Sequence, residues 1–504
     1  MNRLTRGNGI WLAALAAAMV LASYLRLVDC ERALSNDEAY SWRITQYAPG
    51  ELVQRTRWDA NPPLYYTILQ GWEALCGDSP WALRGLSVLL AALTVPLTYA
   101  TCVAALAGIG RMARPAHGGA LFAAFLVAVH PAQVGPGQTA RMYPLGVFLA
   151  ALSSWLLVKA LARPREPLLC WTCYGITAAA LAYTHYYGLF ALVAQGLFAV
   201  VYLAGQTCTL GWRETRGLVG WLAFGSILAA GLFAPWLPAF FQQQSDVRDG
   251  FWIPPVSFDE AERVFWTWCT GLAFLDSWER ATWLVVLLGS LGWTVYSRSW
   301  ASGFFLMQAA VPWLLSIGWS QWSGRSIFYD RYLTFAQWAL LCYWGTLFAG
   351  LPDWPWRLLL VIIVGSSAAW ESPWRWGDAP PALAHAAAFL KAHYQPGDEV
   401  WTDHPAASNR LRYYAAQEGL RDIPVKCSVQ FAGVKGHIVH LSSLSGEDIL
   451  PSAPLERMPA RFWQAGPYAA GAAPTGARTV VTATFQDRAE SYGIMLCEKT
   501  PAGR

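Results

Sequence analysis

The sequence predicts an all-α polytopic membrane protein that carries a small α/β domain at its C-terminal end. Hydrophobic residues make up 55% of the 504 residues and charged residues only 13%, with a mean hydropathy of +0.29. Such a chain is too apolar for one water-soluble domain, so the bilayer is its expected solvent. A net charge of +4 does not indicate nucleic-acid binding, whereas 29 tryptophans suit the aromatic belts at membrane surfaces.

Apolar runs long enough to cross about 30 Å of hydrocarbon occur about eleven times in the first three quarters of the chain. The first run follows Arg3 and Arg6, and its length favours a membrane anchor over a cleaved signal peptide. The runs are 9–27, 81–107, 118–134, 143–162, 168–184, 187–205, 218–240, 281–297, 301–319, 332–350 and 356–371. We therefore assign residues 1–371 to a transmembrane domain and 372–504 to an extramembrane domain.

The charges of the connecting loops predict the orientation. Alternate connections carry short basic clusters, and the longer loops 28–80, 241–280 and 320–331 contain acidic residues. By the positive-inside rule the N-terminus is cytoplasmic, and the longer loops and the tail are outside. An oxidising outer compartment would allow two disulfides, Cys30 with Cys76 and Cys427 with Cys497.

The polar tail has the pattern of a small α/β domain. Helices are predicted at 380–394 and 407–418, and strands at 398–402 and 437–441. Two more strands are expected within 478–498, after a Gly/Pro/Ala-rich loop at 465–477. Alternating elements of this kind favour a sheet covered by helices.

The sequence lacks the phosphate-binding, dinucleotide-binding, zinc-protease and serine-hydrolase motifs of soluble enzymes. Its candidate chemistry lies instead in the first outer loop, where the stretch LSNDEAY (34–40) places Asp37 beside Glu38. Neighbouring carboxylates point in different directions in a helix or a strand, so they do not form the facing pair of a glycosidase. One carboxylate acting as a base and the other as a structural or acceptor-binding group is the better division. The alternative is a helix N-terminus, since Ser35 with Glu38 forms a capping-box pattern.

Four further polar stretches lie at the outer ends of the runs. The stretch WDANPPLYY (58–66) contains a double proline that sets an extended entry to a short helix. QTARMY (138–143) and SIFYDRYL (326–333) place Arg141 and Arg331 on the outer side, where arginine is less expected. Each could be a membrane-surface anchor, or the two could bind a phosphate together. In YTHYY (183–187), His185 is either a ligand, a hydrogen-bond donor or a solvated turn residue.

Taken together and in this order, these stretches resemble the polytopic glycosyltransferases of the GT-C fold. The likeness is to the bacterial relatives of protein O-mannosyltransferases and of lipid A aminoarabinose transferases. It implies a bacterial inner-membrane enzyme that takes a sugar from a polyprenyl phosphate and transfers it to a glycan, lipid or protein acceptor at the periplasmic face. Asp37 matches the catalytic base, and Asn61 stands where the family commonly has His or Lys near the lipid phosphate.

Within these stretches we expect Asp37 to be catalytic and the following residues to bind substrate: Glu38, Tyr40, Asp59, Asn61, Tyr65, Arg141, Tyr143, His185, Tyr186, Arg331 and Tyr332. A carboxylate that removes the acceptor proton and arginines that stabilise the leaving phosphate predict a single displacement with inversion. No cofactor is implied for certain, although a divalent cation would be compatible. Two other functions stay open: a transporter or lipid flippase, and an inactive subunit of an envelope assembly.

Overall fold

The computed structural model describes residues 2–28, 30–110, 117–249, 253–271, 276–351, 353–370, 382–402, 405–428, 449–450, 459–466, 477–486 and 491–499. Helices dominate the described chain up to residue 417. In chain order they are α1 (Asn2–Leu27), α2 (Asn36–Thr45), α3 (Pro49–Thr56), α4 (Leu64–Cys76), α5 (Pro80–Ala104), α6 (His117–Val129), α7 (Pro131–Gly137), α8 (Tyr143–Leu161), α9 (Pro167–Ala182), α10 (Tyr187–Leu210), α11 (Trp212–Phe233), α12 (Leu237–Asp249), α13 (Phe258–Thr270), α14 (Ser277–Ser297), α15 (Trp300–Ser323), α16 (Thr334–Gly350), α17 (Trp354–Trp370), α18 (Ala382–His393) and α19 (Pro405–Gln417).

The chain is a multi-pass membrane protein. Among the described residues, six helical segments are long and apolar enough to cross a bilayer, and the bent pair α6 and α7 raises the number to seven. The six are Gly9–Leu27, Pro80–Ile109, Tyr143–Leu161, Tyr187–Leu210, Trp212–Ser245 and Trp300–Ser323. The other predicted runs also fold as helices but fall short of that length or apolarity, so eleven crossings stay a prediction.

A break between α6 and α7 bends the chain by 53°. Pro131 begins α7 and has no N–H to bond the carbonyl of Val127, so the helix ladder is interrupted there. The buried guanidinium of Arg26 on α1 takes its place, donating to the oxygens of Val127 (3.0 Å) and Ala128 (2.8 Å). Backbone groups freed inside a membrane protein need such a partner.

Helix α16 is held close to α6 by small residues. A Cβ atom added to Gly119 would lie only 2.3 Å from the carbonyl oxygen of Gly345, so neither glycine can carry a side chain without separating the helices. Close approach through small residues is a common way to pack helices in membranes. The turn before α16 carries Arg331, so this packing fixes where that arginine stands.

The C-terminal domain is built on one sheet with strand order β3-β2-β1-β4-β6-β5. The strands are β1 (Glu399–Thr402), β2 (Val425–Ser428), β3 (Ile449–Leu450), β4 (Arg461–Gly466), β5 (Ala477–Gln486) and β6 (Ser491–Lys499). Strands β1 to β4 pair in parallel, and β6 runs antiparallel to both of its neighbours.

The predicted helices at 380–394 and 407–418, the strand at 398–402 and the two strands within 478–498 are confirmed as α18, α19, β1, β5 and β6. The prediction missed β2, β3 and β4, which are short and are stabilised by parallel neighbours distant in sequence. The loop predicted at 465–477 was placed too early, because β4 extends to Gly466. The strand predicted at 437–441 lies outside the described residues.

Neither of the disulfides that the sequence allows is formed. None of the ten cysteines, all of them in the described ranges, forms a disulfide, and Cys30 is buried while Cys76 is exposed. Cys427 lies on β2 and Cys497 on β6, with β1 and β4 between them. Three strand spacings of about 4.8 Å separate these two positions, which is too far for a disulfide.

Candidate active site

The carboxylates of the first outer loop lie in the first turn of α2. Ser35 caps this helix: its hydroxyl accepts from the N–H of Glu38, and the Glu38 carboxylate accepts from the N–H of Ser35. This is the capping box that the sequence suggests. Asp37 stands at the second helical position, so it projects away from the cap while Glu38 folds back onto it. The helix start thus separates the two neighbouring side chains.

Glu38 is fully buried and forms an ion pair that the sequence analysis missed. Its two oxygens accept from Nε and Nη2 of Arg84 on α5, at 2.7 and 2.8 Å. Burial disfavours the ionised carboxylate, but the charge and hydrogen bonds of Arg84 outweigh this effect and lower the pKa of Glu38 to about 2. The N–H of Ala140 adds a further hydrogen bond of 3.0 Å. Both oxygens are engaged in this way, and Glu38 also lines a cavity together with Asp37 and Arg141. The acceptor contact expected of Glu38 stays a prediction.

Arg84 also explains how the loop before α2 keeps its shape. Its guanidinium donates to three backbone carbonyls of that loop, those of Cys30, Arg32 and Ala33, at 2.7 to 2.9 Å. A signal for this residue exists in the sequence, because an arginine at the outer end of a span runs against the positive-inside rule. The same reasoning selected Arg141 and Arg331.

Asp37 lies at the edge of the site and faces Arg331. Its Oδ2 is 3.1 Å from Nη1 of Arg331, and its side chain is 36% exposed. Nη2 of Arg331 also donates a hydrogen bond to the hydroxyl of Tyr329 at 3.0 Å. The structure therefore brings together an aspartate and an arginine separated by 294 positions in the chain.

Arg141 is a buried cation beside this pair. It is 6% exposed, and its Nη1 contacts the backbone oxygen of Asp37, the hydroxyl of Ser41 and the hydroxyl of Tyr66, each at 3.3 Å. Within the described chain, Arg141 has no ion pair with a carboxylate, and its Nε lacks a hydrogen-bond partner. A buried charge without a direct counter-ion is costly. The carboxylates of Asp37 and Asp59 are close enough to act on this charge but form no ion pair with it.

The nearest buried carboxylate reaches Arg141 only through a tyrosine. The Tyr66 hydroxyl that accepts from Arg141 donates in turn to Oδ2 of Asp59 at 3.4 Å. Burial raises the pKa of Asp59 to about 6, although Arg141 and local hydrogen bonds oppose the shift. Asp59 is thus an acid of nearly neutral pKa at the base of the site.

A cavity of about 490 Å³ opens beside these groups. Asp37, Arg141, Arg331 and Tyr143 line one part of it, and the break between α6 and α7 lines another. The volume is in the range of small-molecule binding sites in proteins. An anionic group in this cavity would meet both signs of charge, from Arg32, Arg141 and Arg331 and from Asp37, Glu38 and Asp330.

A second cavity of about 130 Å³ is lined by four more of the predicted site residues, namely Asn61, His185, Tyr186 and Tyr332. The rings of Tyr143 and Tyr332 stack with centroids 6.3 Å apart, and each lines one of the two cavities. This aromatic wall divides the predicted residues into a charged group and an uncharged group, which the sequence does not show.

Two predicted substrate ligands lie away from both cavities. Tyr40 and Tyr65 are fully buried, and each packs edge to face against Tyr66 at 5.8 Å between ring centroids. Their rings fill the core under the loop that carries Asp37, and their contact with substrate stays a prediction. Asp59 likewise lines neither cavity and acts on the site only through its neighbours.

The C-terminal domain docks directly on the loop that carries Asp37. Tyr414 of α19 accepts a hydrogen bond from the N–H of Leu34 at 3.0 Å, and Tyr413 packs its ring edge to face on Trp42 at 5.2 Å. Asp78 accepts a hydrogen bond from Arg421 at 3.1 Å. The tail therefore helps to fix α2 and is packed against the site.

The described residues contain no group of three or more His, Cys, Asp or Glu side chains arranged to hold a metal ion. Of the three carboxylates that line the larger cavity, Glu38 pairs with Arg84 and Asp37 with Arg331, while Asp330 accepts the backbone N–H of Arg331. A divalent cation, which the resemblance allows, finds no complete set of protein ligands in this part of the chain.

Comparison with known structures identifies the architecture. The chain is similar to the crystal structure of ArnT from Cupriavidus metallidurans, with a TM-score of 0.62, 14% identity and coverage of 97% of this chain and 98% of that one. The same protein bound to undecaprenyl phosphate gives 0.60 over the same coverage. The chain has the GT-C fold.

The chain is also similar to one further solved structure and, over part of its length, to one curated protein sequence. An oligosaccharyltransferase of Archaeoglobus fulgidus shares its architecture, with a TM-score of 0.50, 11% identity and coverage of 90% of this chain and 67% of that one. In sequence, an achromobactin transport system permease protein of Dickeya dadantii is 32% identical over 127 residues. That alignment spans 25% of this chain and 34% of the permease. No protein-family profile matches the chain.

Proposed function

We propose that this GT-C chain is a glycosyltransferase that moves a sugar from a polyprenyl phosphate to an acceptor hydroxyl at the outer face of the membrane. The observation that carries the proposal is Arg141, a buried cation without a carboxylate partner in the described chain, in the same cavity as Asp37. A phosphate would supply the missing counter-charge, and arginine binds phosphate through two parallel hydrogen bonds. The similarity to a structure that holds undecaprenyl phosphate supports a lipid-linked donor.

The residues supply a complete reaction step. Asp37 takes the proton of the acceptor hydroxyl. At the same time the hydroxyl oxygen of the acceptor forms a bond to the anomeric carbon of the sugar. The bond from that carbon to the phosphate oxygen breaks, and its electron pair leaves with the polyprenyl phosphate. Arg141 and Arg331 stabilise the charge on this leaving group. One displacement inverts the anomeric centre and leaves no covalent sugar on the enzyme.

Arg331 has to serve two partners in this mechanism. In the structure it pairs with Asp37 at 3.1 Å and is 41% exposed, so it is free to turn toward an incoming phosphate. That movement would release Asp37 for the acceptor hydroxyl. Binding of the donor and activation of the base are thereby coupled through one side chain.

Asn61 modifies the expected donor site. In the resembling family this position commonly carries His or Lys near the lipid phosphate, but an asparagine adds no positive charge. The neutralisation of the phosphate then falls to Arg141 and Arg331, both of which line the larger cavity.

We place the reaction at the periplasmic face of a bacterial inner membrane, with the N-terminus cytoplasmic, on the basis of the loop charges.

The test is release of polyprenyl phosphate by purified protein in lipid nanodiscs, supplied with a panel of polyprenyl-phosphate sugars and acceptors. Asp37→Asn should remove turnover while leaving the protein folded. Asp259→Asn is the matched control, because Asp259 holds the same second helical position after a capping serine, on α13, and is exposed. Absence of release from every donor by the wild type would overturn the proposal.

A transport function has one observation in its favour, the partial sequence match to the permease of Dickeya dadantii. It predicts a different result in the same experiment. A transporter should move a labelled lipid or solute across the bilayer of a proteoliposome without releasing polyprenyl phosphate. Its activity should also be indifferent to the loss of a proton-accepting group at Asp37.

A further inference from the structure

The second cavity has a chemistry of its own that the proposed reaction does not use. None of its described lining residues carries a charge, and half of them are Phe, Tyr or Trp. The aromatic lining consists of Tyr186, Tyr187, Phe190, Phe240, Trp319 and Tyr332. Two tyrosine hydroxyls of this wall are already engaged, that of Tyr186 donating to Gln243 and that of Tyr187 to the carbonyl of Ile327. The wall therefore presents rings more than hydroxyl groups.

His185 is the most informative polar group of this cavity. It is 4% exposed and lies among the rings of Tyr143, Tyr332 and Phe335, with its centroid 4.9 Å from that of Tyr332. Burial, assisted by the nearby charge of Arg141, lowers the pKa of His185 to about 3. The imidazole is therefore neutral at physiological pH.

The hydrogen bonds of His185 decide which nitrogen carries its proton. Its Nδ1 accepts the backbone N–H of Tyr187 at 3.1 Å, so that nitrogen must keep a lone pair. In a neutral ring the proton then belongs to Nε2. Within the described chain, Nε2 has no hydrogen-bond partner. This nitrogen is also not completely enclosed by protein atoms. His185 thus offers an unused donor to the cavity that it lines.

Asn61 supplies a second uncharged polar group to the same cavity. It is 8% exposed, and it occupies the position where a cation is common in the resembling family. A side-chain amide offers both a donor and an acceptor. The side chain of Asn61 already makes a hydrogen bond to Asp59, so it adds polarity to the cavity, whereas His185 brings the unused donor.

These features distinguish between three possible occupants. A phosphate would have to enter a cavity without a cation, although three arginines line the other cavity. A prenyl chain would suit the rings, but it would leave the imidazole N–H of His185 unpaired, at about 1–3 kcal/mol. A sugar ring satisfies both requirements, since its C–H faces pack on aromatic rings and its hydroxyls pair with the polar groups.

We propose that the cavity lined by His185 and Asn61 is a binding site for an uncharged sugar ring. This inference rests on the proposed glycosyl transfer for its role in catalysis, because the ring belongs either to the donor or to a glycan acceptor. The cavity shares the wall of Tyr143 and Tyr332 with the cavity of Asp37, so a ring bound there lies next to the proposed reaction centre.

Kinetics assign the ring to its source. His185→Phe keeps a ring but removes the donor, and it should raise one KM, for the sugar donor or for the acceptor, about five- to tenfold, as expected for one hydrogen bond. His185→Gln restores a donor and should recover part of that loss. His393→Phe on the exposed end of α18 is the control. An active enzyme in which His185→Phe and Asn61→Ala change neither KM would overturn the sugar site without touching the transferase proposal.

Photolabelling tests the occupant without any need for turnover. Wild-type protein in nanodiscs is irradiated with a diazirine-bearing methyl hexoside or, separately, with a diazirine-bearing farnesol, and the labelled peptides are identified by mass spectrometry. We expect the hexoside to label the segment 185–190, and His185→Phe to reduce that label. Labelling of the segment by farnesol instead, or by neither probe, would overturn the inference.

Discussion

The buried pair of Glu38 and Arg84 allows the sharpest prediction. The pKa of Glu38 falls from 4.5 to about 2, which corresponds to about 3 kcal/mol of stabilisation of the ionised form. Glu38→Gln removes that charge and leaves Arg84 buried without a direct counter-ion, a change that typically costs about 3–5 kcal/mol. We therefore expect the variant to lose about 3 kcal/mol of unfolding free energy at neutral pH.

The assay is equilibrium unfolding in mixed micelles as a function of pH. Because the pKa of Glu38 is depressed on folding, its stabilising effect is present above about pH 4.5 and is lost as the pH falls toward 2. The difference between wild type and Glu38→Gln should shrink over the same interval. Glu51→Gln is the control, since Glu51 pairs with Arg55 at 2.8 Å on an exposed helix turn and should cost only about 0.5 kcal/mol.

Two results would refute this reasoning. One is a loss below about 1 kcal/mol at neutral pH, which would mean that the pair is exposed or replaceable. The other is a difference that does not depend on pH between 4.5 and 2. Either result would also remove the structural reason for assigning Glu38 to the support of α2.

Three other changes test the surroundings of the site. Arg141→Met should raise the KM for a polyprenyl-phosphate donor by about 10- to 100-fold, as expected for a hydrogen bond to a charged group, while Arg141→Lys should raise it less; equal values for the two would argue against charge recognition. Burial raises the pKa of Asp59 from 3.8 to about 6, so ionisation of Asp59 lowers the stability of the folded protein as the pH rises through that range. Asp59→Asn should therefore be more stable than wild type by up to about 3 kcal/mol above pH 6 and equally stable below pH 4. Unfolding measured at each pH tests this. Tyr414→Phe should destabilise the docked tail by about 1–3 kcal/mol, because it leaves the N–H of Leu34 unpaired; faster hydrogen exchange at α2 is the readout, and unchanged exchange would show that the hydroxyl is dispensable.

Local sequence patterns account for much of the fold and for the list of candidate residues. Apolar runs predict the helices, because a membrane-crossing helix satisfies its own backbone and needs only an apolar surface. Outward-facing arginines are recognisable since they contradict the charge bias of loops. That reasoning found Arg141 and Arg331 near Asp37, and it would also have found Arg84 had it been applied at the outer end of α5.

Long-range packing decided the roles within that list. The pairing of Glu38 with Arg84 and of Asp37 with Arg331 joins residues 46 and 294 positions apart, and no local pattern specifies such partners. The same holds for the parallel strands β1, β2 and β4, each of which is stabilised by neighbours from other parts of the tail.

The sequence by itself determined that this chain is a membrane protein and which stretches of it are polar. It also determined that two adjacent carboxylates begin a capped helix. Hydrophobicity, loop charge and capping are local properties, so they can be read from neighbouring residues. The tertiary structure alone decided that these carboxylates are unequal and that two cavities of different charge share one aromatic wall. Burial and counter-charge depend on residues brought in from elsewhere in the chain, and these set which group is held and which is left to react.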